Sequence, residues 1–275
     1  MRKGFKIFDA HTHVFPEKIA AAAVASLEQH DGMKAVTDGT LGGLKRSMAE
    51  SGTDISLILP VMTAAKQFES VNRFAEAING RDGILSFGGI HPDCDEPEEK
   101  LAQIRDMGLR GIKLHPDYQH CYVDDPRYIR IIRECLRLGL FVTLHTGYDP
   151  LEPIDFHANV KRCAAMLDAV EDLNLGKPRI ILAHLGGGTE PDEVERLLAG
   201  RNVFLDTAYL LTRCDGEKAV RIIRKHGTDK VLFASDSPWS SQGGDIDALL
   251  SLPFSESEKR AMLWDNAETA FLTRR

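Results

Sequence analysis

The chain has 275 residues, close to the upper limit of about 250–300 residues for a domain with one hydrophobic core. With 43% hydrophobic and 27% charged residues, its composition excludes a disordered or fibrous chain. Lys and Arg number 34 against 41 Asp and Glu, and the net charge of −7 argues against nucleic acid or an anionic membrane as partner. We therefore expect a single domain over residues 1–275.

The N-terminal segment predicts neither export nor membrane insertion. Charged and polar residues interrupt its apolar positions, so it lacks the apolar region of a signal peptide. No apolar run reaches the roughly 20 residues that a transmembrane helix needs. The five cysteines are odd in number, widely spaced and without a CxxC pair, a pattern typical of reduced thiols. We expect a cytoplasmic protein without disulfide bonds.

Eight short apolar runs predict eight β-strands, and segments of helical period separate them. The interiors of these runs are apolar almost throughout, as expected of parallel strands that are covered on both faces. In chain order, the predicted strands are 6–13, 55–62, 84–91, 109–115, 141–145, 179–184, 202–209 and 231–236.

The connections contain recognisable helix signals. The longest, over residues 14–53, predicts helices near 16–29 and 41–50, and it is either a lid over the site or a surface excursion. The segment 125–138 predicts a helix in which Asp125 is the N-cap and Pro126 the first residue. Ser255 and Glu258 have the spacing of a capping box before the last helix.

Eight βα units in this length predict a (β/α)₈ TIM barrel with parallel strands and an active site at its C-terminal face. A doubly wound open sheet is the alternative. That fold usually has a GxGxxG turn after the first strand, where this chain has HTHVFPE.

Six of the ten histidines lie at the carboxyl ends of predicted strands, and the eighth strand ends at Asp236. In a barrel these ends converge on one face. Residues two apart on a strand face the same side, so His11 and His13 can bind one ion, and such ligands suit zinc, manganese or iron. The six are His11, His13, His91, His115, His145 and His184; the other four, His30, His120, His157 and His226, are expected at the surface.

The segments DAHTH, GIKLHP, LHTG, AHLGG and ASDSPW, in this order at strand ends, resemble the amidohydrolase superfamily of metal-dependent barrels. More narrowly, they are similar to the amidohydrolase-related branch that includes aminocarboxymuconate-semialdehyde decarboxylase. The similarity covers essentially the whole chain. It implies that the metal ligands are His11, His13, His145 and Asp236, and that His184 is the catalytic histidine beside the ion.

The chemistry of these residue types agrees with that assignment. A divalent ion with an open coordination position lowers the pKa of a bound water towards about 7. Asp236 beside that water would accept its proton and pass it to a leaving group. His184 would hold the water, or polarise a substrate carbonyl and then transfer protons. We therefore expect Asp236 and His184 to be the catalytic residues.

Lys113 leaves the number of metal ions open. It precedes His115 by two, so both are expected to face inward. In binuclear members of the superfamily, a lysine on this strand is carboxylated and bridges two ions, and His145 and His184 would then bind the second. GIKLHP resembles the mononuclear branch. We therefore expect one divalent ion, zinc before manganese or iron, and an unmodified Lys113 paired with an aspartate or a substrate carboxylate.

Other residues are candidates for contacts around the ion or the substrate. Asp9 precedes His11 by two, so it is expected on the same face, where it would orient a ligand imidazole. The alternative is a hydrogen-bonded strand residue lower in the barrel. Arg213 is placed to pair with a substrate carboxylate. The remaining candidates for the pocket wall are His91, His115 and Trp239.

Three functions remain open. The leading hypothesis is a metal-dependent hydrolase in which activated water attacks an amide, ester or lactone carbonyl of a small molecule. The second uses the same site for non-oxidative decarboxylation or hydration of a small unsaturated or aromatic carboxylic acid. The third is a metal-binding barrel without catalytic activity. We expect a small-molecule substrate and neither nucleic acid nor a membrane as partner, with a homodimer left open.

Overall fold

The computed structural model describes residues 1–150 and 154–273, the side chains of residues 30 and 31 excepted, so that of His30 lies outside the described residues. Parallel strands alternate with helices along the chain. The strands are β1 (Phe8–Thr12), β2 (Ile55–Ile58), β3 (Ile84–Ser86), β4 (Gly88–Gly89), β5 (Gly111–Leu114), β6 (Phe141–Leu144), β7 (Ile180–Leu182), β8 (Phe204–Asp206) and β9 (Val231–Leu232).

The strands form a closed barrel. The hydrogen-bonded orders are β1-β2-β3 and β4-β5-β6-β7-β8-β9. Only Phe87 separates β3 from β4, and its amide donates to the Ile58 carbonyl at 3.0 Å, so β3 and β4 are two parts of the third predicted strand. On the other side, the Ala10 amide donates to the Phe233 carbonyl and the Asp236 amide to the His11 carbonyl, both at 2.9 Å. The predicted TIM barrel is confirmed.

Large apolar side chains fill the amino-terminal half of the barrel. Most strands contribute one to a single buried cluster, which Trp264 and Phe271 close from the C-terminal segment. At Gly111 an added Cβ would lie 2.7 Å from the Phe87 ring, so a glycine there leaves room for that ring. The polar side chains inside the barrel therefore lie at the carboxyl ends of the strands. The cluster contains Phe8, Leu57, Phe87, Phe141, Ile181, Phe204 and Leu232.

Helices surround the barrel: α1 (Glu17–Asp31), α2 (Leu41–Ser51), α3 (Phe68–Ile78), α4 (Pro97–Asp106), α5 (Pro126–Leu138), α6 (Val160–Ala169), α7 (Pro191–Leu197), α8 (Gly216–His226), α9 (Gln242–Ser251) and α10 (Glu256–Arg260). Two predicted helix starts are confirmed. Asp125 caps α5 by accepting from the Arg127 amide at 2.8 Å, and Ser255 and Glu258 form the capping box of α10. Within the described ranges, no helix is both long and apolar enough to cross a membrane.

The long connection between β1 and β2 contains α1 and α2, as predicted. The amide of Val36, between these helices, donates to the Pro238 carbonyl at 2.7 Å. Pro238 follows Asp236 by two residues. The connection therefore lies against the loop after β9, at the carboxyl end of the barrel, and a role as lid stays a prediction.

Candidate functional site

The carboxyl ends of the strands bring most of the predicted site residues together. His11 lies in β1 and Lys113 in β5, whereas His145 directly follows β6. His184 begins a short 3₁₀ turn after β7, and Asp236 lies in the loop after β9. Parallel strands deliver these side chains to one face of the barrel.

Three ligand atoms form what we call the first cluster, His11, His13 and Asp236. The Nε2 atoms of His11 and His13 are 3.1 Å apart. Oδ1 of Asp236 lies 3.4 Å from His11 Nε2 and 3.1 Å from His13 Nε2. An ion with ligand bonds of about 2.1 Å separates neighbouring ligands by about 3.0 Å in octahedral and about 3.4 Å in tetrahedral geometry. The measured separations lie within this range.

The hydrogen bonds of the first cluster fix the histidine tautomers. His11 Nδ1 faces Asp206 Oδ2 at 2.9 Å, and His13 Nδ1 faces the Leu59 carbonyl at 2.8 Å. Both partners are acceptors, so each Nδ1 carries the proton and each Nε2 of a neutral ring presents a lone pair. Two lone pairs and a carboxylate oxygen therefore converge. The donor set fits a divalent cation such as zinc or manganese.

Asp206, the last residue of β8, holds two predicted site residues. Its Oδ2 accepts from His11, while its Oδ1 accepts from the backbone amides of His184 and Ala208, each at 3.0 Å. Burial raises the pKa of Asp206, and these amide donors oppose that rise. The sequence analysis missed Asp206. The available signal was an acidic residue inside the otherwise mostly apolar seventh predicted strand, 202–209.

Lys113 is a buried cation next to the first cluster. Its Nζ lies 3.2 Å from His11 Nε2, and the residue is 1% exposed. Among the described residues it forms no ion pair with a carboxylate within 4.0 Å, so the expected pairing with an aspartate is not found. Burial lowers its pKa to about 8, while the charges of Asp206, Asp236 and Asp149 act in the opposite direction.

His145 and His184 contact each other. His184 Nδ1 faces the Ala208 carbonyl at 2.9 Å, and His184 Nε2 lies 3.0 Å from His145 Nδ1. His184 also packs near His11, with ring centroids 5.6 Å apart. His145 does not join the first cluster in the structure. The assignment of His145 to the same ion as His11 and His13 therefore stays a prediction.

His145 instead belongs to a second cluster, His115, His145 and Asp149. Asp149 Oδ2 lies 3.6 Å from His145 Nε2 and 3.8 Å from His115 Nε2. The two imidazole rings stack with centroids 4.1 Å apart. Asp149 follows a strand end in a loop and was not predicted. Its spacing of four residues after His145 was the only sequence signal.

Burial dominates the electrostatics of both clusters. It lowers the pKa of His11, His115 and His145, because a charged imidazole loses its hydration there, and the Lys113 charge adds to the effect. Burial also raises the pKa of Asp236, but contacts with His13 and His11 outweigh it and leave that pKa below its usual value. These histidines are therefore neutral electron-pair donors near neutral pH.

The backbone at the two predicted catalytic residues is left-handed. His184 has φ 55° and Asp236 has φ 73°, backbone angles that residues other than glycine rarely adopt. Leu185, with φ 52°, continues the first of these turns. Such conformations cluster at functional sites, where the surrounding structure holds them in place.

Asp9 does not orient a ligand imidazole. Its carboxylate accepts from the Ser235 amide and hydroxyl, from the Gln242 side chain in α9 and from the His11 backbone amide. Burial raises its pKa to about 7, and these hydrogen bonds oppose the rise. The alternative interpretation, a hydrogen-bonded strand residue, therefore describes Asp9. The β1–β2 pairing is irregular between Asp9 and Thr12, which breaks the two-residue alternation that would have placed Asp9 beside His11. Asp206 takes the predicted role.

The remaining predicted contact residues lie outside both clusters. His91 is buried, and its Nδ1 accepts from the Asp93 amide at 3.2 Å. Trp239 is buried three residues after Asp236, to whose carbonyl its amide donates. Arg213 is exposed and stacks on Tyr209 with its guanidinium carbon 3.9 Å from the ring centroid. Their contacts with a substrate stay predictions.

Among the histidines that were expected at the surface and whose side chains the structure describes, His226 is buried. His226 is 2% exposed at the end of α8, where Nε2 donates to the Val203 carbonyl at 3.0 Å and Nδ1 accepts from the Gly200 amide at 3.1 Å. Burial lowers its pKa to about 4. The surface prediction was wrong for His226 because a neutral imidazole has one donor and one acceptor nitrogen, and two backbone groups in the core satisfy both.

Solved structures of other proteins share this fold. A 5-carboxyvanillate decarboxylase from Sphingomonas paucimobilis matches with a TM-score of 0.71 and 14% identity, over 98% of this chain and 100% of that one. A dihydroxybenzoic acid decarboxylase from Polaromonas sp., with bound manganese and 2-nitroresorcinol, matches with a TM-score of 0.71 and 15% identity, over 98% of this chain and 97% of that one. A putative 2-pyrone-4,6-dicarboxylic acid hydrolase from Pseudomonas putida matches with a TM-score of 0.67 and 18% identity, over 97% of each chain.

Identities at this level establish the fold alone. No curated protein matches the chain. A family model described as Amidohydrolase, however, matches residues 8–272, which include both clusters. The chain therefore belongs to the amidohydrolase family.

Proposed function

We propose that the protein is a metal-dependent decarboxylase of small aromatic or unsaturated carboxylic acids. The observation that carries the proposal is the buried ammonium of Lys113, 3.2 Å from His11 Nε2 and without a carboxylate ion-pair partner among the described residues. A buried cation of this kind is costly unless an anion pairs with it. A substrate carboxylate bound beside the first cluster would supply that anion.

The first cluster would hold the metal ion. His11, His13 and Asp236 present three electron-pair donors at separations of 3.1–3.4 Å, and Asp206 and Leu59 keep the imidazole tautomers suited to binding. Manganese is named with the Polaromonas decarboxylase, so we put it beside zinc as a candidate. When bound, a divalent ion supplies a Lewis acid for substrate oxygens and water.

The residues around the metal ion would bind the substrate carboxylate, transfer the proton and position the substrate. Lys113 would bind the substrate carboxylate and hold it in one orientation. As the bond between the carbon and its carboxylate breaks, carbon dioxide leaves and the electron pair stays on carbon, which takes up one proton. Asp236, 8% exposed in the first cluster, has a lowered pKa and is ionised, so it would first accept a proton from water or from an acidic group of the substrate and then deliver it to that carbon. His184, held by Ala208 and His145, would position the substrate beside it.

Two further observations support this proposal over the hydrolase hypothesis. Decarboxylases are prominent among the solved structures that share the fold. The substrates that their descriptions print are aromatic carboxylates, which is the class that Lys113 would pair with. Hydrolysis of an amide, ester or lactone remains the second candidate, because the Pseudomonas putida protein is described as a putative hydrolase of a dicarboxylic acid.

The test is a product analysis of the purified protein reloaded with manganese or zinc. Hydroxybenzoates, unsaturated acids and pyrone lactones are incubated separately in D₂O. Decarboxylation releases carbon dioxide and places one deuterium on the carbon that lost it, which NMR detects. Hydrolysis opens a ring or splits an amide without loss of carbon.

The expected result is carbon dioxide release with one deuterium per product, absent in Asp236→Asn and in metal-free protein. Ring opening without carbon dioxide would replace the proposal by the hydrolase alternative. Stoichiometric metal binding without turnover of any compound in the panel would favour the barrel without catalytic activity.

A further inference from the structure

A cleft of about 890 Å³ opens at the amino-terminal end of the barrel, opposite the end that carries both clusters. Its walls are the segments that lead into β5, β6, β7, β8 and β9, together with the C-terminal residues 266–273. Phe141 and Phe204, two of the apolar side chains that fill the barrel, also line it. Sites for small molecules usually measure about 300–1,000 Å³. The size of the cleft therefore suits one small molecule.

The described lining of this cleft is strongly basic. It contains five cationic side chains and a single carboxylate, that of Asp229. The cations are Arg105, Arg110, Lys177, Arg179 and Lys230. The chain as a whole has a net charge of −7, so this concentration of positive charge is local. Like charges that share one cleft repel each other, and an anion bound between them removes that cost.

Three of the cations directly precede strands. Arg110, Arg179 and Lys230 come immediately before β5, β7 and β9, which alternate around the barrel. Groups placed on the rigid elements of a fold hold a binding geometry more precisely than groups on loops. The positive charge of the cleft is therefore attached to the barrel itself.

Backbone carbonyls hold Arg110 and Lys230 in place without neutralising them. Arg110 Nη1 donates to the Phe271 carbonyl at 2.7 Å. Lys230 Nζ donates to the carbonyls of Gly200 and Arg201 at 3.1 and 2.9 Å. Within the part of the chain that the structure describes, neither cation has a carboxylate within 4.0 Å. A guanidinium has five N–H donors and an ammonium three, so each keeps at least one donor for a ligand.

The segment before β7 adds two cations to the same cleft. Arg179 Nη1 donates to the Gly139 carbonyl at 2.9 Å, and its guanidinium carbon lies 5.3 Å from the centroid of the Phe141 ring. Lys177, two residues earlier, is exposed. This segment therefore contributes one partly buried and one exposed cation.

We propose that this cleft binds a small polyphosphate, a molecule with two or more linked phosphate groups. A terminal phosphate group brings about −1.5 to −2 charges and three acceptor oxygens, whereas a carboxylate brings one charge and two oxygens. A polyphosphate can therefore contact cations from several strands at once, and the guanidinium fork fits phosphate oxygens in pairs. The site lies at the other end of the barrel from Lys113 and is independent of the proposed decarboxylase activity.

The test follows binding at the cleft itself, because polyphosphates also chelate metal ions. Metal-loaded protein is treated with acetic anhydride, with and without tripolyphosphate, and mass spectrometry gives the acetylation rate of each lysine. Lys177 and Lys230 report on the cleft. Lys161 in α6 and Lys218 in α8, both exposed and outside the cleft, are the matched references.

Tripolyphosphate should slow the acetylation of Lys177 and Lys230 at least about 5-fold at a concentration several times its Kd, and leave that of Lys161 and Lys218 unchanged. In Lys230→Gln, the protection of Lys177 should require at least about 10-fold more tripolyphosphate, because a hydrogen bond to a charged group is lost. Lys161→Gln makes the same change in net charge and should bind as the wild-type chain does.

Protection of all four lysines to the same degree, or of none, would overturn the proposal. Lys177→Glu, at an exposed position, should abolish the protection of Lys230, and unchanged protection with an intact circular dichroism spectrum would also overturn it. Citrate should protect less than tripolyphosphate does, and equal protection would replace the polyphosphate by a polycarboxylate. None of these readouts involves turnover, so this site can fail while the proposed activity stands, and the reverse.

Discussion

Asp206 Oδ2 lies 2.9 Å from His11 Nδ1 and thereby fixes the proton of that imidazole on the side away from the first cluster. The other oxygen of the same carboxylate accepts from the His184 amide. One carboxylate thus sets the donor nitrogen of His11 and the position of His184. Interactions of this kind behind a metal ligand orient it and raise its basicity.

Asp206→Asn should therefore weaken metal binding at the first cluster. The amide nitrogen of Asn would donate to His11 Nδ1, which moves the imidazole proton to Nε2 and removes the lone pair. We expect a loss of affinity of about 10–100-fold, measured by competition with a chromophoric chelator. Asp149→Asn, in the second cluster, is the control, and equal effects of both substitutions would contradict the tautomer argument.

Asp236→Asn should reduce turnover with little effect on stability. Groups that transfer protons in catalysis usually contribute about 10²–10⁴-fold, so kcat should fall by at least about 100-fold. Asn tolerates the left-handed backbone at this position, φ 73°, so the fold should persist. Metal content is measured alongside kcat, and retention of more than about a tenth of the wild-type rate at full metal loading would exclude the proton-transfer role.

Lys113 should make metal binding at the first cluster depend on pH. Its ammonium, with a pKa lowered to about 8, lies beside His11 Nε2, so below that pH it opposes a second positive charge. Affinity for Zn²⁺ in the wild-type chain should therefore rise as the pH increases through about 8. Lys113→Met removes this charge, and calorimetric titrations at several pH values should show a flatter dependence with tighter binding at neutral pH.

His226 should destabilise the fold in mild acid. The folded pKa of about 4 lies below the unfolded value of about 6.5, so the unfolded state binds more protons between them. Stability is full above about pH 6.5 and falls as the pH decreases towards 4, by about 2 kcal/mol at about pH 5.

His226→Gln keeps a donor and an acceptor but does not titrate. The part of the acid-induced loss of folding stability that His226 causes should therefore be absent in this variant. Free energies of unfolding in urea at about pH 7 and about pH 5 give the comparison. His120→Asn, at an exposed position with φ 46° that Asn tolerates, serves as the reference. An unchanged pH dependence in His226→Gln would show that other groups cause the acid instability.

The parts of the structure that follow local periodicity could be predicted. The alternation of apolar runs with helical segments predicted the barrel, and Asp125 and Pro126 predicted where α5 begins. The convergence of strand ends predicted that His11, His13 and Asp236 would meet. For these features, the spacing along the chain determines the position in space.

Pairings between distant strands could not be predicted in the same way. Asp206 reaches His11 across 195 positions of sequence, and no period connects them. His226 looked like a polar residue at a helix end, but two backbone groups of the segment before β8 satisfy its ring in the core. Asp149 lies in a loop, where side-chain direction follows no regular alternation.

The irregular pairing of β1 has a consequence for engineering this barrel. Between Asp9 and Thr12, β1 advances three residues while β2 advances two, from Ser56 to Ile58. This single extra residue lets Asp9 face the Gln242 side chain on the helical layer while His11 still faces the barrel axis. Deleting one residue here would regularise the pairing and exchange the two faces from that point onward. The His11–Thr12–His13 segment is therefore transplantable to another barrel only together with its bulge.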